Sequence, residues 1–236
     1  MKVQVFAAAA VAVVLGSAAS AATVTNGDFD DGLNGWTVTG DISVVDSSVG
    51  VLPSSGSNQA LLTSNTVTTD ANLETALGAP LGSLDLFSGS ANPSGGNVTV
   101  GSVLVQTINS VVGQTLSFDY NFLNGEIVNS AFADGAFFYA DGTYFLLADV
   151  DTPEQLSSAT VFSTETGYTT FNYTFTTTGS QTIGFGVFNE QDTLVNSGLL
   201  IDNIVGGVAP VPVPAALPLL LTAFGGLAAV RRRRKA

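Results

Sequence analysis

The sequence predicts an all-β protein with a single antiparallel β-sandwich, and three observations lead to that fold class. The 236-residue chain contains 26 glycines and is rich in threonine, serine and valine. No long stretch places apolar residues at helical spacing. Apolar and polar residues alternate instead, as in Leu116–Phe122, where every second side chain is apolar or aromatic. This alternation is typical of antiparallel strands that bury one face.

Further strands are predicted across residues 23–205, the range expected to form the sandwich. Phe171–Phe175 and Ile183–Val187 repeat the alternation, and Ala136–Ala140 and Thr143–Ala148 flank Asp141-Gly142, a two-residue hairpin signal. The other predicted strands are Trp36–Thr39, Ile42–Val45, Gln59–Leu62, Asn72–Leu77, Val98–Thr107 and Leu199–Val205. Roughly ten or more short strands without helices favour two packed sheets.

Leu84–Asn97 is polar and rich in glycine and serine, and it is predicted to be a long loop within the one sandwich. Residues 1–22 are predicted to be a secretory signal peptide. Lys2 precedes the apolar run Val3–Leu15, and Ala19-Ser20-Ala21 fits a small-residue cleavage site. An N-terminal membrane helix is the alternative.

The C-terminal end has three parts in a fixed order. Residues 206–213 form a linker rich in glycine and proline, and it overlaps a proline motif that begins at Val211. Residues 215–230 carry no charge and are just long enough for a short transmembrane helix. The tail at 231–236 is basic, which keeps it on the cytoplasmic side; its charged residues are Arg231, Arg232, Arg233, Arg234 and Lys235.

This order of features resembles the PEP-CTERM class of sorting signals, in its VPxPA-type variant, over residues 211–236. The residues that carry the motif are Val211, Pro212, Val213, Pro214 and Ala215. The resemblance implies an exosortase-type processing protease as partner, cleavage near Pro214 and a transient stay in the inner membrane. It also implies a final place at the cell surface or in the extracellular matrix of a Gram-negative bacterium. A plain membrane anchor is the alternative.

Charge is divided sharply along the chain. All 19 acidic residues lie between Asp28 and Asp202, and all 6 basic residues lie outside that range, so the exported body has a formal charge of −19. Without a cation to contact phosphates, no nucleic-acid partner is expected. The acidity is interpreted as a solubility device in saline surroundings, with binding of divalent cations as the alternative.

Two short motifs stand at the two ends of the body. Residues 26–36, NGDFDDGLNGW, resemble the opening of carbohydrate-binding modules with a galactose-binding-like jelly roll, and Ile201–Ile204 resembles their closing strand. The resemblance implies a jelly-roll-like sandwich in which the first and last strands pair.

The same resemblance implies candidate sites for calcium and for glycans. Structural calcium in such folds suggests Asp28, Asp30 and Asp202 as ligands, since Ca²⁺ takes carboxylate oxygens. No other cofactor is expected. Acidic residues beside glycine also form turns without any metal. Candidates for stacking on a sugar ring are Trp36, Tyr139 and Tyr144, with packing in the core as the alternative reading of each.

Composition argues against catalysis. The chain has no histidine or cysteine and the body has no lysine, which removes Ser-His-Asp, thiol and Schiff-base mechanisms. The sequence therefore predicts a non-enzymatic surface or matrix protein associated with exopolysaccharide or biofilm. A carbohydrate-binding module with a specific glycan ligand is one alternative. A carboxylate-based glycan hydrolase is another, and it would require two carboxyl groups about 5–10 Å apart in a groove.

Overall fold

The computed structural model describes residues 22–91, 96–126, 132–152 and 155–207. These ranges contain twelve strands and two α-helices. The strands are β1 Thr37–Thr39, β2 Asp41–Val45, β3 Gln59–Thr63, β4 Val98–Ser110, β5 Thr115–Asn124, β6 Gly135–Ala140, β7 Thr143–Asp149, β8 Leu156–Ser157, β9 Thr164–Glu165, β10 Thr169–Thr174, β11 Gly179–Glu190 and β12 Gly198–Gly206. The helices are α1 Asp70–Leu77 and α2 Ser83–Ala91, and a short 3₁₀ turn lies at Ser47–Val49.

The strands form two sheets, and every strand pair in them is antiparallel. The first sheet has the order β1-β4-β11-β6-β7. The second has the order β2-β3-β12-β5-β9-β8, with β10 also paired to β5. One apolar core is shared by residues of both sheets. The prediction of a two-sheet antiparallel sandwich is confirmed.

The core between the sheets is aromatic, and the predicted alternation explains its composition. Phe118 on β5 lies with its ring centroid 4.8 Å from that of Phe185 and 5.0 Å from that of Phe138, both in the first sheet. All three rings are fully buried. Asp119 follows Phe118 on β5 and points to the opposite face of the sheet, because successive side chains of a strand alternate between the two faces.

The predicted hairpin is also confirmed. β6 and β7 pair across Asp141 and Gly142, whose φ angles are +50° and +76°. Both values are positive, which matches a type I′ turn and explains why Asp-Gly is a strong hairpin signal. The Asp141 carboxylate also accepts hydrogen bonds from the Tyr173 hydroxyl and the Thr176 backbone N–H, so the turn is fastened to β10.

Two sequence predictions are wrong in the same region. Asn72–Leu77, predicted as a strand, belongs to α1, and Leu84–Asn97, predicted as a loop, begins with most of α2. Helix signals are present for α1: Asp70 lies in its first turn and Gly78 ends it in the left-handed conformation. For α2 the start is set by a distant contact, because the buried Glu74 carboxylate accepts hydrogen bonds from the Gly82 and Leu84 N–H groups.

The helices cover the outer face of the first sheet. A second apolar cluster joins Leu73, Leu77 and Leu84 of the helical region to Phe137 and Phe188 of the sheet. This is why the outward positions of the first sheet are apolar as well. The central strands β4, β11 and β6 of the first sheet are therefore largely buried on both faces, and the second sheet has the polar outer face.

The two motifs at the ends of the body come together, although their strands do not pair. β1 pairs with β4, and β12 lies between β3 and β5, so the expectation that the first and last strands pair is wrong. The contact is made by the segment before β1, where the Gly27 carbonyl accepts a hydrogen bond of 2.9 Å from the Ile204 N–H.

The segments predicted for export and sorting lie outside the described residues. These are the signal peptide except Ala22, most of the linker, the proline motif, the span at 215–230 and the basic tail. Among the residues that the structure does describe, no helix is long and apolar enough to cross a membrane.

Gly27 provides a test of the contact between the opening segment and β12. A Cβ atom at Gly27 would lie 2.1 Å from the Ile204 carbonyl oxygen, which is backbone and cannot swing away. Gly27→Ala is expected to lower the free energy of unfolding by roughly 1–3 kcal/mol, measured by urea denaturation. Asp31→Ala, in the same exposed segment, should change it by less than about 0.5 kcal/mol. Equal stabilities of the two variants would contradict this packing.

Candidate functional site

A groove lies at one end of the outer face of the second sheet. At this end β2 and β12 begin while β3 and β5 finish, so loops from distant parts of the chain meet there. The groove has a volume of about 450 Å³. Its lining residues are Asp41, Leu61, Thr63, Asn65, Gly125, Val161, Phe162, Ser163, Leu194, Val195 and Asn196.

The apolar part of the groove includes strongly exposed aliphatic side chains. Val161 is 96% exposed and Leu194 is 82% exposed, and Val195 beside it is also exposed. Phe162 is half-buried and is the aromatic side chain of the lining. Exposed aliphatic side chains beside an aromatic ring are suited to contact the apolar face of a ligand.

Polar groups are interspersed with these apolar side chains. Asp41 accepts a hydrogen bond from the Thr63 hydroxyl through one carboxylate oxygen, which holds the carboxylate over the sheet. The exposed Asn65 side chain makes no hydrogen bond to any residue that the structure describes. Asn196 accepts from the Asn189 amide. One carboxylate, amides and hydroxyls therefore line a partly apolar groove, which is the chemistry that recognises a neutral polyhydroxylated molecule.

Contacts between distant parts of the chain hold the walls of the groove in place. A Cβ atom at Gly198 would lie 2.9 Å from Cζ of Phe162, so the missing side chain makes room for the aromatic ring. Ser163 N–H donates to the Asn124 carbonyl at 3.0 Å, which fastens this segment to the end of β5. On the opposite wall, Ser64 N–H donates to the Ser197 carbonyl and Ser197 N–H donates to the Ser64 hydroxyl, both at 2.9 Å.

The loop 191–197, which connects β11 to β12 and carries Leu194–Asn196, is anchored by Asp134. The Asp134 carboxylate accepts 2.9 Å hydrogen bonds from Glu190 N–H and from the Ser197 hydroxyl. Burial raises the pKa of Asp134 to about 7, although these two hydrogen bonds oppose the shift. The negative charges of Glu126 and Asp192 raise this pKa further.

A pair of carboxylates lies elsewhere on the same face, beneath the loop 46–58. Asp119 and Asp202 are opposite each other on β5 and β12, and the Ser54 hydroxyl lies 2.9 Å and 3.3 Å from one oxygen of each. Burial raises the pKa of Asp202. Burial also acts to raise the pKa of Asp119, but hydrogen bonds from Thr170, Asn203 and Ser54 outweigh it and lower that pKa.

This pair does not have the arrangement that the glycan-hydrolase hypothesis required. In that mechanism the space between the carboxyl groups is occupied by the reacting bond or by water. Here it is occupied by Ser54, and the Ser55 N–H, 2.7 Å from Asp202, closes the loop over the pair.

The predicted calcium ligands lie near this loop but do not converge. Asp30 accepts hydrogen bonds from Ser57 N–H and the Asn58 amide, and Asp28 accepts one from Asp30 N–H. Asp202 is held by Ser55, as described above. Within the described ranges, no group of three or more histidine, cysteine, aspartate or glutamate side chains is placed to hold a metal ion. Calcium binding stays a prediction.

The predicted sugar-stacking residues are packed against other rings. Trp36 is only 8% exposed and lies between Phe29 and Phe185, while its indole N–H donates to the Asn26 carbonyl. The indole ring of Trp36 therefore contacts other side chains of the core. Tyr139 is buried and Tyr144 is half-buried, and their ring centroids lie 4.9 Å apart in the cluster beneath the helices. These contacts agree with the alternative reading of the three residues, in which they pack in the core, and sugar stacking stays a prediction.

The sequence analysis did not identify the residues of the groove. A signal was present in the segment QDTLVNSG, residues 191–198, where Leu194 and Val195 interrupt a polar loop. An adjacent aliphatic pair in a polar loop adds more apolar surface than the scattered single residues that are normal on a protein surface. A comparable signal marks Val161 and Phe162, an apolar pair within the polar segment SATVFST, residues 158–164. No such signal marks Asn65, because its neighbours are the serines and threonines found throughout the body.

No known family model matches the sequence, and no curated protein matches it. Among solved structures, the fold is similar to TmCBM61 in complex with β-1,4-galactotriose, with 14% identity over 80% of this chain and 99% of that chain, and a TM-score of 0.42. A CBM4 module is 16% identical over 76% of this chain and 99% of that chain, with a TM-score of 0.35.

A third similar structure is the enzymatically active domain of tailspike protein 4 of bacteriophage CBA120. It is 13% identical over 79% of this chain and 21% of that chain, with a TM-score of 0.40. Carbohydrate-binding modules are thus among the structural neighbours.

Calcium binding can be measured directly. If calcium binds the folded body, millimolar CaCl₂ should raise the melting temperature, because a ligand of the native state stabilises it by mass action. Asp30→Asn should reduce that rise, and Asp151→Asn, in an acidic surface loop, should leave it unchanged. If NaCl at matched ionic strength raised the melting temperature equally, the effect would come from screening of the body's negative charge and not from calcium binding.

Proposed function

We propose that the exported body is a non-catalytic carbohydrate-binding module that binds a neutral glycan in the groove. The observation that carries this proposal is the lining itself, in which a half-buried phenylalanine and exposed aliphatic side chains lie beside amides, hydroxyls and one carboxylate. Sugars offer the complementary surface, since they have apolar C–H faces and hydroxyl groups around their rim. The volume of about 450 Å³ lies in the range of small-molecule sites.

The negative charge of the body favours neutral glycans over anionic ones as the ligand. The body carries all 19 acidic residues of the chain and no basic residue, and Asp41 lies in the groove itself. An anionic polysaccharide would meet repulsion over the whole surface and no cation in the groove to offset it. A neutral glycan can donate its hydroxyl protons to Asp41 and to the amide oxygens.

The proposed cellular role joins this activity to the targeting segments. The body is exported by the signal peptide and passes through the inner membrane, where an exosortase-type protease processes it at the Val211–Ala215 motif. The mature protein then belongs to the cell surface or the extracellular matrix, where it holds exopolysaccharide. Its sandwich is of the galactose-binding-like jelly-roll type, and calcium is its only proposed ion.

Exposed groove residues allow a test of glycan binding without damage to the fold. Asn65→Ala and Leu194→Ala are expected to weaken binding by about tenfold each, because each removes one contact worth about 1.4 kcal/mol at the ligand. The ligand is first identified on an array of neutral and uronic-acid oligosaccharides, and affinities are then measured by isothermal titration calorimetry.

Two matched variants serve as controls. Asn172→Ala and Leu52→Ala remove an exposed amide and an exposed leucine outside the groove lining, and both should bind like the native protein. Equal affinities of groove and control variants would place the glycan elsewhere. Retention of uronic-acid oligosaccharides alone would contradict the preference for neutral glycans.

Processing of the tail gives an independent measurement. Intact-mass spectrometry of the surface or released protein should give a C-terminus near Pro214, without residues 231–236, because cleavage at the proline motif removes the span and its basic tail together. In cells that contain the protease, full-length protein in the inner membrane would instead indicate a plain membrane anchor.

A further inference from the structure

One side chain holds both ends of the loop that forms a wall of the groove. Glu190 ends β11 directly before the loop 191–197, and Ser197 is its last residue. Asp134 accepts a 2.9 Å hydrogen bond from the backbone of the first and another of 2.9 Å from the hydroxyl of the second. The fully buried Asp134 therefore lies under the base of the loop.

Between these anchors, the exposed part of the loop makes a local contact. The Leu194 N–H donates to the Asp192 carboxylate at 3.1 Å, within the loop itself. Leu194 is 82% exposed. Other contacts of the loop are the Asn189 amide, which donates to Asn196, the Gln191 N–H, which donates to the Asn97 carbonyl at 2.9 Å, and the bonds between Ser64 and Ser197. The Asp134 anchors therefore act together with these contacts in placing Leu194–Asn196 at the groove.

Acidic groups surround Asp134, and no cation is present to balance its charge. Asp192 belongs to the loop, Glu126 follows Gly125 of the groove lining, and Glu190 contributes the anchoring N–H. The body has no lysine, arginine or histidine. Closing the loop over ionised Asp134 thus buries an unbalanced charge beside two others, while opening the loop exposes it to water.

The neutral form of Asp134 keeps both anchors without that cost. Its carbonyl oxygen still accepts from Glu190 N–H, and its acid proton can be donated to the Ser197 hydroxyl, which both donates and accepts. Burial and the neighbouring carboxylates raise the pKa of Asp134 to about 7, in agreement with this geometry.

We propose that Asp134 is a positioning residue of the groove: its protonated form holds the loop 191–197 closed, and its ionisation releases the loop and weakens glycan binding. The part of this inference that concerns affinity rests on the proposed glycan-binding function. The part that concerns the loop does not. Linkage gives the direction of the pH effect. A carboxyl group whose pKa is higher in the closed state stabilises that state at low pH, and this stabilisation is lost as pH rises through about 7.

The test follows loop opening by hydrogen exchange of residues 192–197, with mass-spectrometric detection and correction for the intrinsic pH dependence. In the native protein, protection should fall about tenfold between pH 6 and pH 8, which linkage gives for a closed-state pKa near 7 and an ordinary open-state value. Asp134→Asn, which is neutral at every pH, should show no such fall. Asp31→Asn, which removes an exposed charge in the opening segment, should behave like the native protein.

Glycan affinity is measured on the same samples. It should fall in parallel with protection in the native protein and stay constant in Asp134→Asn. If Asp134→Asn does not fold, Asp192→Asn replaces it, and the fall should then become smaller because one repelling charge is absent. The same pH profile in native and variant proteins would overturn the inference. A pH-dependent loop in a protein that binds no glycan would retain the loop anchor and reject the proposed function.

Discussion

The folded body has acidic side chains and no basic ones, so no basic side chain within it can pair with the carboxylates that it buries. Glu74, Asp134, Glu190 and Asp202 are all fully buried, and backbone N–H groups donate to each of them. Because backbone donors are fixed in place, a buried carboxylate also fixes the chain that supplies them. In this protein, the hydrogen bonds that make it possible to bury a carboxylate therefore also fix the position of the loops that supply the donors.

The loops follow from that constraint. Glu74 sets the start of α2, which lets the helices cover the first sheet. Asp202 holds Ser55 and keeps the loop 46–58 over the second sheet, and Asp134 holds the base of the loop 191–197. These loops leave the groove at the end of the second sheet accessible to solvent. The groove thus depends on a carboxylate that has no cationic partner, and its wall responds to the protonation of that group.

Sequence patterns predicted the strands well wherever one face of the strand is buried. The alternation in β5 and the Asp141-Gly142 hairpin both correspond to local physics, since side-chain direction and turn geometry are set within a few residues. The same reasoning failed at Asn72–Leu77, a short segment of three polar and three apolar residues for which strand and helix are hard to distinguish. It failed at α2 because a donor–acceptor contact from Glu74 defines where that helix begins.

By itself, the sequence determined the two-sheet antiparallel sandwich, the acidity of the body and the absence of the side chains that common nucleophilic mechanisms need. These follow from composition and from short-range periodicity. Only the tertiary structure decided that Trp36 and Tyr139 pack inside and that Phe162, Asn65 and Leu194 share a groove. The reason is that exposure and proximity depend on which loops meet at the end of a sheet. The order of the strands in the sheet determines which loops lie side by side, and these loops come from distant parts of the chain.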